Sequence, residues 1–176
     1  MIGSTRTLET TRLLLRPMLA TDIDALLPIF TDPLVMASFG GGLFDRGQMA
    51  EWTQRNLDHQ AQHGYGLFVV ILKATGELIG DCGLEHMQLD GEPYVELGYD
   101  FRSAYWNQGL ATEAAMAVRD YAFRQLGLPR LICLIRAGNH ASERVATKIG
   151  MRHAAAFQRY DREYNRYALE RAPEWL

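Results

Sequence analysis

The sequence has little of what several large protein classes require. Only two of its 176 residues are cysteine. Each of them, Cys82 and Cys133, sits inside an apolar run, which argues against a disulfide framework and for buried thiols in a reducing cytoplasm. The five histidines are dispersed, so the Cys and His spacing of a metal site is missing and no metal is expected. No apolar run approaches the ~18 residues of a membrane span, and the first residues lack the apolar core of a signal peptide. Arginines are scattered and the formal charge is −3. Without a basic stripe to neutralise phosphates, nucleic acid is not an expected partner, and neither is a membrane. Repeats, linkers and low-complexity tracts are absent as well. What is there is an ordinary soluble composition, 48% apolar and 22% charged, in a length suited to one cytoplasmic domain over residues 1–176. A chain of that size buries roughly 70% of its unfolded surface and needs no covalent staples.

Arg12–Arg16 reads as a short strand closed by Pro17, followed by a helix that Thr21 can cap, with Ile23, Leu26, Leu27 and Phe30 on one side. The stretch Thr31–Phe44 carries two turn signals, Asp32-Pro33 and the Gly40-Gly41-Gly42 run, and is expected to be a mobile loop. Asp45 opens a more polar helix to about His63, with Met49, Trp52 and Leu57 inward and Gly64 as its stop. The period then changes to that of strands: Leu67–Leu72, Leu78–Leu84 and Tyr94–Phe101, joined by Thr75-Gly76 and Asp90-Gly91, dipeptides that favour tight hairpins. A helix from Gln108 to Leu126 follows, bearing a small-residue stripe (Ala111, Ala114, Ala115, Val118, Ala122) and ended by Gly127 and Pro129. Arg130–Arg136 is then an apolar strand, so a parallel, right-handed crossover is expected. Asn139 caps a shorter helix with Ala141, Val145 and Ile149 on one face, and strands near Ala154–Arg159 and Glu163–Arg171 flank the turn Tyr160–Arg162. The whole is one mixed α/β domain.

The stretch with chemical content is Tyr94–Glu113, YVELGYDFRSAYWNQGLATE. A strand delivers the chain to Gln108-Gly109-Leu110-Ala111, where a helix begins. The first N–H groups of a helix lack internal partners and carry the positive end of its dipole. Gly109 and Ala111 remove bulk, so phosphate oxygens can approach those donors directly, without a Lys. No Gly-Lys-Ser/Thr follows, which excludes a P-loop, and the full dinucleotide fingerprint is missing.

Here the chain resembles the GNAT superfamily of N-acetyltransferases, and within it the ribosomal-protein-alanine N-acetyltransferase branch. The superfamily's coenzyme loop, Gln/Arg-x-x-Gly-x-Gly/Ala, is matched by Trp106-Asn107-Gln108-Gly109-Leu110-Ala111, with Trp106 departing at the Gln/Arg position. VELGYDF is similar to the family's fourth strand and ATEA to the start of its central helix. Asn139-His140-Ala141-Ser142 and Lys148-Ile149-Gly150-Met151 resemble the branch's Asn-x-x-Ser and Lys-x-Gly-Phe pattern, and Tyr167-Ala168-Leu169 and Glu174-Trp175 look like its close. The resemblance runs from Leu8 to Trp175.

It implies a mostly antiparallel, seven-stranded sheet flanked by four helices and splayed between strands four and five, Tyr94–Phe101 and Arg130–Arg136. The pantetheine arm of acetyl-CoA, the cosubstrate, would fill that gap. Coenzyme contacts carry over to Leu97, Gly98, Tyr99, Trp106, Asn107, Gln108, Gly109, Leu110, Ala111, Thr112, Asn139 and Ser142, with N–H groups near Leu97–Tyr99 facing the thioester oxygen. The acceptor amine attacks the thioester directly; Cys133, with no base beside it, reads as an inert thiol rather than a nucleophile.

The amine must be neutral. At pH 7 deprotonation costs roughly 1 kcal/mol for an α-amine and about 4.6 for Lys, which favours a protein or peptide N-terminus as acceptor. Glu96 is the first candidate base, on the face shared by Tyr94, Gly98 and Asp100; a bulge near Gly98 could break that alternation, and Glu85 is the backup. The family's thiolate acid, a Tyr, is replaced by Ala146, leaving Ser142 one turn earlier to orient the sulfur or a water. Glu113 would repel pyrophosphate and is expected to point away. Phe39, Phe44, Tyr65 and the Tyr160–Arg162 turn are candidates for the acceptor wall. Two alternatives stay open: acetylation of a small amine such as an aminoglycoside or polyamine, for which no dense Asp/Glu cluster stands out, and a non-catalytic acyl-CoA sensor. An edge strand or the C-terminal hairpin offers a surface for a homodimer.

Overall fold

The computed structural model describes residues 6–39, 42–159 and 161–175. Gly40 and Gly41 of the glycine run, and Tyr160 of the last turn, lie outside the described residues. Strands β1 (Leu8–Glu9) and β2 (Leu13–Pro17) come first, then helices α1 (Ile23–Phe30), α2 (Pro33–Met36) and α3 (Arg46–His63). Strands β3 (Leu67–Leu72), β4 (Glu77–Leu89) and β5 (Glu92–Phe101) form a meander, and α4 (Leu110–Arg124) crosses over to β6 (Arg130–Arg136). Helix α5 (His140–Lys148) precedes the hairpin β7 (Arg152–Arg159) and β8 (Arg162–Glu170). One sheet holds all eight strands in the order β1-β2-β3-β4-β5-β6-β8-β7. This is the arrangement the resemblance implies, with two additions among the described residues: β1, too short to carry a period, makes eight strands rather than seven, and α2 makes five α-helices rather than four.

Local chemistry accounts for most element ends. Asp45 accepts from the Gln48 N–H and Gln48 from the Asp45 N–H, a reciprocal cap on α3, while Gly64 ends that helix at φ 75°. Asp90 (φ 54°) and Gly91 (φ 82°) both adopt the left-handed conformation a two-residue hairpin turn requires. The expected loop at Thr31–Phe44 is corrected by α2, where Asp32 accepts from the Leu34 N–H and Pro33 sits at the first helical position. Its Asp-Pro signal marks a helix start rather than a turn.

Two apolar clusters cover the two faces of the sheet. On one, α4 lays Ala114, Ala115, Val118 and Ala122, all fully buried, against Phe68, Val70, Leu84 and Leu97. On the other, α1, α2 and α3 bury Leu26, Ile29, Phe30, Met36 and Met49 over Leu67, Val69 and Leu78. Among the described residues no helix is long and apolar enough to cross a membrane.

One break in the sheet matters for function. All neighbours are antiparallel except β5 and β6, which are parallel and paired at a single position, Glu96 with Ile132. Beyond it the facing edges of Leu97–Phe101 and of β6 are left without partners in the sheet. The β4–β5 register, in contrast, runs unbroken from Gly80↔Phe101 to Leu89↔Glu92, so no bulge occurs at Gly98 and alternation holds along β5.

Candidate active site

The turn before α4 has the geometry of an anion cradle. Asn107 (φ 60°) and Gly109 (φ 77°) are both left-handed, and no side chain caps the helix. The helix begins at Leu110, not at the expected Gln108, because the left-handed Gly109 is its N-cap. The Glu113 N–H is the first to bond back, to Gly109 O, which leaves the N–H groups of Leu110, Ala111 and Thr112 as free donors. Gln108 points its amide to Ala104 O and the Trp106 indole N–H donates to Phe101 O at 2.8 Å, so both side chains brace the turn.

Glu113 faces away from this cradle. It accepts from the Thr10 hydroxyl (2.6 Å), the Arg12 N–H (2.8 Å) and Arg12 Nε (2.6 Å), while Arg12 Nη1 donates to Gln108 O at 2.9 Å. The turn is thereby tied to the β1–β2 connection. Glu113→Ala removes three acceptor contacts at a partly exposed pair, so it is expected to cost about 1–2 kcal/mol of stability. It should also raise KM for acetyl-CoA severalfold at nearly constant kcat, as read from thermal denaturation and initial rates.

A cavity of about 300 Å³ runs from this turn along the open edge of β5 to α5. Its wall includes Tyr99, Trp106, Asn107, Gly109, Leu110, Ala111, Thr112, Asn139 and Ser142, nine of the residues expected to contact coenzyme. Leu97, Gly98 and Gln108 are not on that wall: Leu97 packs its side chain into the α4 core, Gly98 has none, and Gln108 turns outward. Arg144 and Lys148, which were not anticipated, also line the cavity with Ala141 and Val145. Positions 141, 144, 145 and 148 are one helical stripe, a signal present in the sequence, and it brings two cations to a cradle whose turn contains none.

Asn139 caps α5, its Oδ1 accepting from the Ser142 N–H at 3.2 Å, and its amide reaches Ser38 Oγ at 3.0 Å. The Tyr99 hydroxyl donates to Ser142 O at 2.8 Å. Ser142 is therefore not the sole hydroxyl near Ala146; burial and then the nearby Cys133 push the Tyr99 phenol well above its ordinary pKa, so it keeps its proton. The Leu97 carbonyl faces β6 and accepts from the Cys133 thiol at 2.9 Å. Strand alternation turns the Leu97 and Tyr99 N–H groups to that same side. Burial, then Glu96, raises the Cys133 thiol, which leaves it without thiolate character.

The opposite face of β4 and β5 is acidic. The register sets Asp81 against Asp100 and Glu85 against Glu96, with Gly83 against Gly98 between them. This corrects the expectation that no dense acidic cluster exists: four carboxylates spread over twenty positions meet on one face of a hairpin. Glu96 sits at the fork, its Oε1 accepting from the Leu134 N–H at 3.1 Å. Burial, then the charge of Glu85, pushes its pKa up to about 7, against the opposing influence of Leu134 and Arg159. Burial likewise raises Glu85, opposed by Arg55. Asp81 and Asp100 are raised by burial, then by neighbouring carboxylates. Phe44 stacks on Phe30, the exposed Phe39 meets Phe30 edge-on, and Tyr65 packs near His59 and His63; none of the three is on the cavity wall. Among the described residues no grouping of His, Cys, Asp and Glu is suited to a metal ion.

Comparison with known proteins agrees with this geometry. Residues 12–152 match the family model described as an acetyltransferase (GNAT) domain. The chain is 36% identical over 156 residues to the uncharacterized protein YkkB of Bacillus subtilis (strain 168), covering 88% of this chain and 90% of that one. It superposes on the crystal structure of the acetyltransferase from Agrobacterium tumefaciens str. C58 with a TM-score of 0.82 and 33% identity, covering 95% of each chain. The fold is also that of the ribosomal L7/L12 alpha-N-protein acetyltransferase in complex with coenzyme A, at a TM-score of 0.78 and 19% identity, covering 94% of this chain and 98% of that one.

Proposed function

The chain belongs to the GNAT family of acetyltransferases, and from that premise we propose that it moves an acetyl group from acetyl-CoA to a primary amine by direct attack on the thioester. The observation that carries this reading is the single pairing of β5 with β6 at Glu96 and Ile132, which opens the β5 edge beside a cavity that reaches from free helix donors to Tyr99 and Ser142. Coenzyme chemistry fits the residues present. The N–H groups of Leu110, Ala111 and Thr112 hold pyrophosphate, with Arg144 and Lys148 adding charge. The open edge of β5 beyond Leu97, with the Tyr99 N–H turned toward the gap, hydrogen-bonds the pantetheine arm and offers a donor where negative charge develops on the thioester oxygen. That the ribosomal-protein acetyltransferase of the same fold is in complex with coenzyme A supports coenzyme A as the cosubstrate here.

Glu96 then removes the proton of the incoming ammonium, directly or through one water. A carboxylate with a pKa of about 7 is half ionised at neutral pH and matched to an amine that loses its proton near pH 8. Asn139 and Ser142, with the Tyr99 hydroxyl on the Ser142 carbonyl, orient the sulfur. Two free, buried cysteines fit a reducing, cytoplasmic setting.

The test is incubation of the protein with acetyl-CoA and a panel of peptides and amines. One acetyl gained on an acceptor for each thiol released is the expected result; tight acetyl-CoA binding with transfer to none of them supports a sensor instead. Ala111→Glu, which sets a carboxylate at the phosphate cradle, is expected to weaken acetyl-CoA binding by on the order of a hundredfold or more, measured by calorimetry.

A further inference from the structure

Helices α1–α3 cover only part of their side of the sheet. The strand residues in the cluster beneath them are Leu67, Val69 and Leu78, from β3 and β4. Asp81, opposite Val69, is shut in there at 1% exposure, and neither of its carboxylate oxygens has a hydrogen-bond partner. The same side of β6, β8 and β7 is different. Leu134, Phe157 and Tyr164 are only half-buried and belong to neither apolar cluster. On the reverse of β6, in contrast, Leu131, Cys133 and Ile135 are buried in the cluster that holds α4.

Residues paired across a ladder share a face, so the register shows what this open side carries. Glu170 joins Arg130, Ala168 joins Ile132 and Arg152, and Arg166 joins Leu134 and Ala155. Tyr164 joins Arg136 and Phe157, and Arg162 joins Arg159. Each of these five rows holds at least one arginine, and the only carboxylate among them is Glu170, paired with Arg130 at 2.7 Å. Contacts confirm the direction of the side chains. Arg166 donates to the Tyr94 hydroxyl at 3.2 Å, Arg136 donates to Ala37 O just after α2, and Arg159 acts on Glu96. In a chain whose formal charge is −3, folding gathers dispersed arginines onto one uncovered face.

We infer that this face of β6, β8 and β7 is a docking surface for an extended acidic segment of a partner protein, with carboxylates at alternate positions, laid along the strands beside Glu96. Rows on one face of a sheet recur every two residues, about 6.7 Å. An extended peptide repeats its side chains at the same interval, so alternate carboxylates meet successive arginine rows. A second copy of this chain is a poor occupant, since a two-fold interface sets arginine against arginine. Single-stranded nucleic acid needs ring faces on which its bases stack. Here Phe157 and Tyr164 stack on each other at 5.9 Å, and the Tyr94 ring already has Arg130 and Arg166 over it.

The probe is a fluorescein-labelled peptide of about nine residues, glutamate alternating with threonine, long enough to span the five rows. It is blocked at both ends, so it has no amine to acetylate and its binding is read apart from acetyl transfer. Anisotropy is expected to show saturable binding that weakens by on the order of tenfold or more between about 0.05 and 0.5 M salt. A peptide of the same composition with its glutamates in one block should bind several-fold more weakly, and the glutamine–threonine version should not bind measurably. Arg152→Glu with Arg162→Glu, in two different rows, is expected to lower affinity for the alternating peptide by on the order of ten- to a hundredfold. Circular dichroism checks that the double variant folds; if it does not, the exposed Arg152→Glu alone is read. Equal binding of the glutamine version, a block peptide that binds as well, or an affinity unchanged by Arg152→Glu overturns the docking surface. A single-stranded RNA oligonucleotide that binds more tightly than the alternating peptide overturns it in favour of a nucleic acid. A dimer, seen by sedimentation, that the peptide dissociates overturns it in favour of a second copy. Each of these results leaves the acetyltransferase reading to be decided separately, by thiol release with free amines.

Discussion

Glu96→Gln is expected to lower kcat/KM by roughly 10²–10⁴-fold, the usual worth of a positioned general base. The pH profile should change with it. In the wild type the base must be ionised, so kcat/KM rises as pH rises through about 7, the value to which burial and Glu85 push this carboxyl. The glutamine variant has no proton to lose there, and its profile should follow only the amine. An unchanged limb near pH 7 excludes Glu96 as the base. Stability supplies an independent readout. The folded pKa of Glu96 lies above the ordinary carboxylate value of about 4.3, so the folded state binds the proton more tightly than the unfolded one. Its contribution to stability is present in full below about pH 4.3 and is lost as pH rises through about 7. Glu96→Gln should therefore show a shallower fall in melting temperature over that window. Asp81, Glu85 and Asp100, raised in the same direction, keep part of the fall in place.

Gly83→Ala and Gly98→Ala, at positions directly opposite in the β4–β5 ladder, are expected to behave oppositely. A Cβ on Gly83 would land on the Gly66 carbonyl oxygen and the Leu67 Cα, backbone atoms of the neighbouring strand that cannot rotate away. Overpacking of this kind costs about 3 kcal/mol or more. In a chain of this length that corresponds to a loss of roughly 6–12 °C in melting temperature. A Cβ on Gly98 meets nothing within 4 Å, so Gly98→Ala should fold normally and gain up to about 1 kcal/mol from reduced freedom of the unfolded chain. Its cost should fall on activity, since the methyl group enters open space beside Glu96 on the same face of β5. Thermal denaturation and acceptor KM, measured on both variants, separate the two effects. Loss of stability in Gly98→Ala would mean that the space above Gly98 is not open.

The same pair of glycines marks how far the sequence can be read. Alternation along Tyr94–Phe101 places Glu96, Gly98 and Asp100 on one face, and the structure keeps it. Alternation along β4 does the same for Asp81, Gly83 and Glu85. The acidic cluster needs one further step, the pairing of the two strands. Asp90-Gly91 fixes that pairing, because a two-residue turn sets each residue opposite the one equally far beyond it. The cluster is therefore legible in principle, although the four carboxylates look dispersed along the chain. Arg144 and Lys148 were legible in the same way, through the stripe they share with Ala141 and Val145.

Local rules, acting over a few residues, were enough to specify the hairpins at Gly76 and Gly91, the caps at Asp45 and Asn139, the stop at Gly64 and the crossover between β5 and β6. They hold because capping, turn conformation and side-chain period depend on neighbours in the chain. Three features were settled only by tertiary structure. The placement of the turn before α4 depends on Arg12 and Glu113, which tie it to the β1–β2 connection nearly a hundred residues earlier. The Tyr99 hydroxyl reaches Ser142 because β5 and α5 pack side by side. The pKa of Glu96 and the unpaired state of Asp81 depend on what covers them, α3 and the fork between β5 and β6. Desolvation is a property of surroundings assembled from distant segments, and no window along the chain contains it.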